Sequence, residues 1–323
     1  MGLKLLVTGG AGFIGSNFTK MVLKQHSSEI EKITVLDKLT YAGNLSNLAA
    51  LSPNDIEFIK GDICDRELVL KLCKNHDVTI NFAAESHVDR SIENSEQFIK
   101  TNVLGVQTLL ESVRELGEGR LIQVSTDEVY GSIEEGTWDE IQPLMPNSPY
   151  SASKASGDLI ARAFYQTFGV DVIVTRCSNN YGPYQNPEKV IPRFITNLIQ
   201  NKPIEIYGNG SNVRDWLHVS DHCNAIWSVL NKGKSGSTYN IGGGLELNNL
   251  ALAQKVLRVM NLNEDLIKFI PDRLGHDFRY SVDYSKASYE LNYHPKVSFE
   301  EGLTSTIDWY LENYAWWKSL VTT

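Results

Sequence analysis

Short, mostly β-branched apolar runs recur through the first half of the chain, at 3–8 (LKLLVT), 33–37 (ITVLD), 56–60, 78–82 (VTINF) and 121–124. Each is too short for a buried helix and apolar on successive positions, which is the pattern of a strand covered on both faces. Between them lie longer stretches at helical spacing. Residues 98–116, for example, put apolar side chains at Val103, Val106, Leu109, Leu110 and Val113, predicting one continuous helix. Strands buried on both sides and joined by helical crossovers make a parallel sheet with helices on both faces, so the pattern predicts a doubly wound α/β fold. A helix over 150–168 and a strand over 170–176 (VDVIVTR) extend it. From about residue 180 the grammar changes: Gly182-Pro183, Pro187, Pro192, Pro203, Gly208 and Gly210 punctuate shorter elements. The expected division is a sheet domain over 1–180 and a smaller C-terminal lobe over 181–323, with a strand at 238–241 (TYNI) returning to the main sheet. Trp309, Trp316 and Trp317 read as core or interface helix.

Composition narrows the partners. The 323 residues hold 30 Lys and Arg against 39 Asp and Glu, a net charge of -9. That balance excludes a nucleic-acid coat or an anionic membrane surface as the main partner, so any bound anion must be met locally. Cys64, Cys73, Cys177 and Cys223 have no C-x-x-C spacing and read as reduced thiols. No apolar run approaches the roughly 18 residues of a membrane span, and Leu6 does not suit a myristoylation signal. The expectation is a cytoplasmic protein.

The local anion site is visible at once after the first strand. TGGAGFIGS carries Gly9, Gly12 and Gly15, one for a tight turn, one to let backbone approach a pyrophosphate, one for close packing of helix on strand. The helix that follows offers free N–H groups and a partial positive charge at its start. Asp37, closing the second strand, would accept hydrogen bonds from adenosine ribose hydroxyls and repel a 2'-phosphate, which favours NAD over NADP. This makes the fold a Rossmann-type one. Asp62-Ile63, after the third strand, is placed to flank the adenine.

Tyr150 and Lys154, in PYSASKASGDL, are four residues apart at the start of a helix opened by Ser148-Pro149, hence on one face. A phenol is a poor base at neutral pH, but a neighbouring ammonium and the cation of an oxidised nicotinamide would lower its pKa. The phenolate would then take a proton from a hydroxyl as hydride leaves the same carbon. His218 and His222 share the four-residue spacing but lack a third ligand, and Ser220-Asp221 reads as a helix start, so no metal is expected. His87 reads either as substrate-facing or as packed beside Asp89.

Together with AAESHVDRS after the fourth strand and Ser125-Thr126 after the fifth, these motifs make the chain resemble the extended short-chain dehydrogenase/reductase family, which acts on nucleotide sugars. DKLTYAGN, STDEVYG, NNYGPYQNPEKVIP, GSNVRDWLHVSDH and RLGHD resemble its dTDP-glucose 4,6-dehydratase branch in particular. That resemblance implies a lyase with tightly held NAD and a dTDP-glucose substrate, in which Thr126 bonds the oxygen being oxidised, Tyr150 is the base and Lys154 holds the nicotinamide ribose. Asp127 and Glu128 then gain a reason. Once C4 is a ketone, the C5 hydrogen is acidic enough for a carboxylate, and loss of the C6 hydroxyl needs a proton donor. Glu128, with the longer reach, would be the C5 base and Asp127, protonated, the C6 acid. The resemblance further implies NAD contacts at Phe13, Ile14, Lys38, Thr40, Ala83, Ala84, Ser86, Thr101 and Asn180. It implies sugar-nucleotide contacts at Ser86, Thr126, Asn179, Lys189, Arg214, Asn249, Arg273 and His276. Arg214 and Lys189 offer positive charge suited to a diphosphate. Leu274 stands where the branch usually has proline, which implies a less rigid loop around Arg273 and His276. A homodimer through the helices near 98–116 and 150–168, and a place in dTDP-L-rhamnose synthesis, follow from the same resemblance. Two other readings use the same fold: a UDP-sugar 4-epimerase, which needs no acids beside Thr126, and a silent NAD-sensing regulator.

Overall fold

The protein is described here from a computed structural model covering residues 2–272 and 275–321. In chain order the strands are β1 (Leu3–Thr8), β2 (Ile30–Asp37), β3 (Glu57–Lys60), β4 (Val78–Asn81), β5 (Arg120–Thr126), β6 (Val172–Cys177), β7 (Asn179–Tyr181), β8 (Ile204–Tyr207), β9 (Val213–His218), β10 (Thr238–Ile241), β11 (Glu246–Asn248) and β12 (Ile267–Ile270). The helices are α1 (Phe13–Gln25), α2 (Arg66–Cys73), α3 (Val88–Glu93), α4 (Glu96–Ile99), α5 (Val106–Leu116), α6 (Pro149–Phe168), α7 (Val190–Ile199), α8 (Val219–Lys232), α9 (Asn249–Val259), α10 (Ser285–Leu291), α11 (Phe299–Glu312) and α12 (Tyr314–Val321).

A seven-stranded sheet in the order β10-β6-β5-β4-β1-β2-β3 forms the centre, and its neighbouring strands pair in parallel. The order reverses between β1 and β4, opening a crevice at their C-terminal ends where ligands of such sheets bind. One face is covered by α1, α8 and α10, whose Phe18, Val22, Cys223, Ile226 and Leu291 pack on Val7, Val35 and Ile122. The other is covered by α2, α5 and α6 through Val69, Leu109, Val113, Ala161 and Phe164. A separate core joins α7, α9, α11 and α12, with Phe194, Trp216, Val256, Ile307 and fully buried Trp317; Trp309 and Trp316 pack at its edge. After residue 180 the chain therefore crosses between the cores more than once: α8, β10 and α10 return to the main sheet.

Local sequence explains the elements that hold the site. Helix α6 opens on Pro149 with a reciprocal cap between Ser148 and Ser151, and ends at Gly169 in the left-handed region, as expected of such signals. The helix predicted over 98–116 is present and runs without a break over 96–116, but its middle is π-helical rather than α-helical. It consists of α4, a π-helical segment at Lys100–Gly105 and α5. Within that segment the Asn102 side chain takes the Glu85 N–H and donates to the Glu85 carbonyl and the Ser153 hydroxyl, tying the loop after β4 to α6. Helix α8 starts at Val219, with the Ser220-Asp221 pair read as a helix start in its first turn. Its cap is His218, whose side chain accepts from the Ser220 N–H. No helix among the described residues is long and apolar enough to cross a membrane.

Candidate active site

The crevice is built from backbone first. Gly9 follows β1 with φ +67°, and a Cβ there would stand 2.5 Å from the Ala83 nitrogen; a Cβ on Gly15 would stand 2.5 Å from the Gly9 carbonyl. Only glycine permits both close approaches. Helix α1 then begins with no side-chain cap and no acid in its first turn, leaving its N–H groups available to an anion. A small hollow of about 80 Å³ brings Gly9, Gly12, Asp37, Lys38 and Thr40 together with Asp62, Ile63, Ala83, Ala84 and Thr101. Thr101 enters this wall from the π-helical segment. Asp37 accepts N–H bonds from Ala11 (2.9 Å) and Leu39 (2.8 Å); burial raises its pKa and these two bonds oppose the rise. Lys38 pairs with Asp62 at 2.7 Å.

The neighbouring hollow, about 250 Å³, is lined by Phe13, Ile14, Gly15, Ser86, Thr126, Asp127, Glu128, Tyr150, Lys154, Asn179 and Asn180. Strand β5 delivers Thr126 to it, and a single 3-10 turn, Asp127–Tyr130, follows. The Thr126 hydroxyl accepts the Glu128 N–H (3.3 Å) and donates to Asp127 Oδ1 (3.2 Å). Asp127 is only 2% exposed. Burial pushes its carboxyl well above the ordinary value, and the charges of Glu128 and Asp215 push it further, against Arg214 and Thr126. Glu128 sits half-buried where this hollow meets the next. Ser125, Asp127, Asn179, Gln185 and Glu188 all line the hollow, and Ser125 Oγ, Asp127 Oδ2, Asn179 Oδ1, Gln185 Oε1 and Glu188 Oε1 are buried without a hydrogen-bond partner among the described residues. Buried polar atoms rarely stay unpaired, so this wall fits a ligand rich in hydroxyl and amide groups.

Tyr150 and Lys154 share this wall. Burial raises the Tyr150 pKa well above 10, with Glu128 and then Cys177 adding to it and Thr126 opposing. Lys154 Nζ donates to the Val124 carbonyl, 2.7 Å away, and burial lowers its own pKa against the charge of Asp158. Further positive charge has to arrive with the ligand.

A third, larger hollow of about 820 Å³ opens from Glu128 toward the C-terminal lobe and collects Ser86, Asn179, Lys189, Arg214, Asn249 and His276. Arg214 is buried, donates to the carbonyls of Val213 and Asp277, and lies over the Tyr280 ring at 4.3 Å. Lys189 donates to the Ser86 carbonyl at 2.6 Å, and His276 bonds Asp272 at 2.6 Å. Arg273 and Leu274 lie outside the described residues.

The GDP-mannose 4,6 dehydratase family profile matches residues 6–306. A dTDP-glucose 4,6-dehydratase of Streptomyces niveus is 52% identical over 321 residues, covering 98% of this chain and 96% of the relative. The chain belongs to the dTDP-glucose 4,6-dehydratase family. DesIV, the dTDP-glucose 4,6-dehydratase of Streptomyces venezuelae solved with NAD bound, superposes with a TM-score of 0.96 at 50% identity, covering 98% of this chain and all (100%) of that one. The dTDP-glucose 4,6-dehydratase of Bacillus anthracis, also solved with NAD, gives 0.92 at 48%, covering 98% and 99%.

Against this family's architecture, sequence reading missed several residues of the same walls. Cys177, the last residue of β6, and Ser178 after it line the second hollow, where the rule that found Thr126 at the end of β5 applies equally. Tyr41, Glu188, Tyr207 and Trp216 line the third. Glu188 carries no local signal, since a lone acid in a Pro-rich loop looks solvated. His87 caps α3 by accepting the Arg90 N–H, and its Nε2 lies 3.8 Å from Glu188. His222 is spent on Asn180: Nδ1 lies 3.0 Å from the Asn180 Oδ1, and burial drops the imidazole pKa to about 3. Among the described residues no three His, Cys, Asp or Glu side chains could hold a metal.

Proposed function

We propose that this chain converts dTDP-glucose to dTDP-4-dehydro-6-deoxyglucose and water, with NAD held through the cycle. The observation that carries this reading is the buried Asp127 beside half-buried Glu128, on the wall shared with Tyr150, since oxidation at C4 alone needs neither acid. NAD, when bound, accepts hydride from C4 and returns it to C6, and its oxidised ring supplies the positive charge that Tyr150 lacks. Gly9, Gly12, Phe13, Ile14 and Gly15 would cradle its pyrophosphate, and Asp37, Lys38, Thr40, Asp62, Ile63, Ala83, Ala84, Ser86, Thr101 and Asn180 its nucleosides, with Lys154 on a ribose. Thr126 bonds the sugar's O4 while Tyr150 takes the O4 proton. Glu128 takes the C5 proton. Asp127, kept protonated by burial, gives its proton to the C6 hydroxyl as the C6–O bond breaks and water leaves. Glu128 then hands a proton back to C5 as C6 receives hydride. Each cycle leaves Tyr150 one proton richer and Asp127 one poorer, and the Thr126 hydroxyl, bonded to Asp127, lies between them.

The nucleotide end is read onto Ser86, Asn179, Lys189, Arg214, Asn249, Arg273 and His276, with the guanidinium of Arg214 meeting the diphosphate. In this reading residues 1–180 form the NAD-binding domain, which also brings the catalytic residues, Ser86 and Asn179 to the sugar nucleotide, and 181–323 form the nucleotide-sugar-binding lobe. The enzyme works as a cytoplasmic homodimer and its product is a 6-deoxyhexose on the way to dTDP-L-rhamnose. Turnover of dTDP-glucose in heavy water tests the chemistry: deuterium is expected at C5 of the product. Product formed with C5 protium fully retained, or conversion to the 4-epimer, rejects the dehydratase in favour of an epimerase.

A further inference from the structure

The two catalytic elements, the acid-bearing turn and helix α6, belong to different parts of the chain, yet elimination requires them to stay in fixed relation. Tyr150, Lys154 and Asp158 occupy positions i, i+4 and i+8 of α6, one stripe along its face. The third member of that stripe is not solvated. Its side chain is 1% exposed and Oδ2 accepts a 2.8 Å bond from Arg176 Nε on β6. The same guanidinium donates from its NH1 to the Tyr130 hydroxyl at 2.7 Å, and Tyr130 closes the turn that holds Asp127 and Glu128. The Tyr130 hydroxyl donates in turn to Asn240 Oδ1 at 2.9 Å. Asn240 cannot swing away, because its amide N–H groups are taken by the Trp138 and Asp283 carbonyls. Strand register reinforces the link: Arg176 stands opposite Ser125 on β5 and Asn240 on β10.

We propose that Asp158 and Arg176 form a positioning pair that fixes the Asp127–Tyr130 turn, through the Tyr130 hydroxyl, against the helix carrying Tyr150 and Lys154. A buried ion pair gives little net stability over apolar residues of equal volume, so stability alone does not account for one at this junction. Alignment does, because a displacement of about 1 Å costs about 10²-fold in rate. The pair acts on the step that needs both elements at once, water loss, and scarcely on C4 oxidation, which Thr126, Tyr150 and Lys154 complete without the turn. The inference rests on the dehydratase reading.

Two variants test it in the full-length, NAD-loaded enzyme. Tyr130→Phe removes one oxygen and keeps the buried ring. Arg176→Lys keeps a cation opposite Asp158, and so keeps the Asp158 charge that supports buried Lys154, but loses the second arm of the guanidinium fork that reaches the Tyr130 hydroxyl. Each is expected to lower kcat for dehydration of dTDP-glucose by about 10-fold or more, with KM little changed. Bound nicotinamide should accumulate in its reduced form during turnover, and deuterium entry at C5 should slow in parallel. A merely structural role would lower Tm and activity without that accumulation. Normal kcat, or a loss without build-up of reduced nicotinamide in either variant, overturns the inference. Wild-type enzyme that fails to dehydrate dTDP-glucose overturns the proposed function instead, so the two failures are distinguishable.

Discussion

Asp127 shows how one buried carboxyl couples chemistry to stability. Its pKa is raised mainly by burial, against an unfolded value of about 3.9. Below about pH 4 folded and unfolded chains both hold the proton, and the buried group costs nothing. As pH rises past that point the unfolded chain ionises while the fold keeps the proton, so stability falls until the raised folded value is passed. Asp127→Asn stays neutral throughout. The variant should lose about 10²- to 10⁴-fold in dehydration rate, yet match the wild-type Tm near pH 4 and exceed it increasingly toward neutral pH. Thermal melts across that range check the sign: a gap that shrinks with rising pH would mean the carboxyl is ionised in its site.

At the scale of elements, the contact between α6 and the π-helical segment constrains the catalytic helix through backbone. Gly157 is the point of approach, since a Cβ there would lie 2.8 Å from the Asn102 carbonyl, a backbone atom that cannot step aside. Gly157→Ala gains about 1 kcal/mol of helix propensity but overpacks the contact at about 1–3 kcal/mol. The net expectation is a loss of about 1 kcal/mol, a Tm lower by about 2 °C, with dehydration slowed as Tyr150 and Lys154 shift. The sequence showed the elements better than their joints. Strand β1 and helix α6 were legible because a both-faced apolar run and a Ser-Pro helix start are local signals. The π-helical turn was not, because one extra residue leaves Val103, Val106 and Leu109 at nearly helical spacing. The cap role of His218 was not legible, because a histidine before Val219-Ser220 carries none of the usual Ser, Thr, Asp or Asn cap signals. The Asp158–Arg176 pair was invisible for a related reason: isolated charges at such positions read as solvated, and only the register of β5, β6 and β10 brings them inside.

For the whole molecule, the exposed apolar side chains Ile99, Leu104 and Leu159 lie on α4, the π-helical segment and α6, the helices proposed to join two copies. Leu104→Glu combined with Leu159→Glu should shift the protein from dimer to monomer in sedimentation velocity; an unaltered mass would move the interface elsewhere. The return of α8, β10 and α10 to the main sheet has its own consequence. A fragment cut at residue 180 would keep α1 but lose α8 and α10, opening to water the part of that sheet face, Ile122 and Ile173 among it, that packs in the same core as their Cys223, Ile226 and Leu291, and such a surface aggregates rather than folds. Ligand binding and sheet packing thus draw on interleaved segments, and heating the intact chain should melt both halves in a single calorimetric transition, with no surviving nucleotide-binding core.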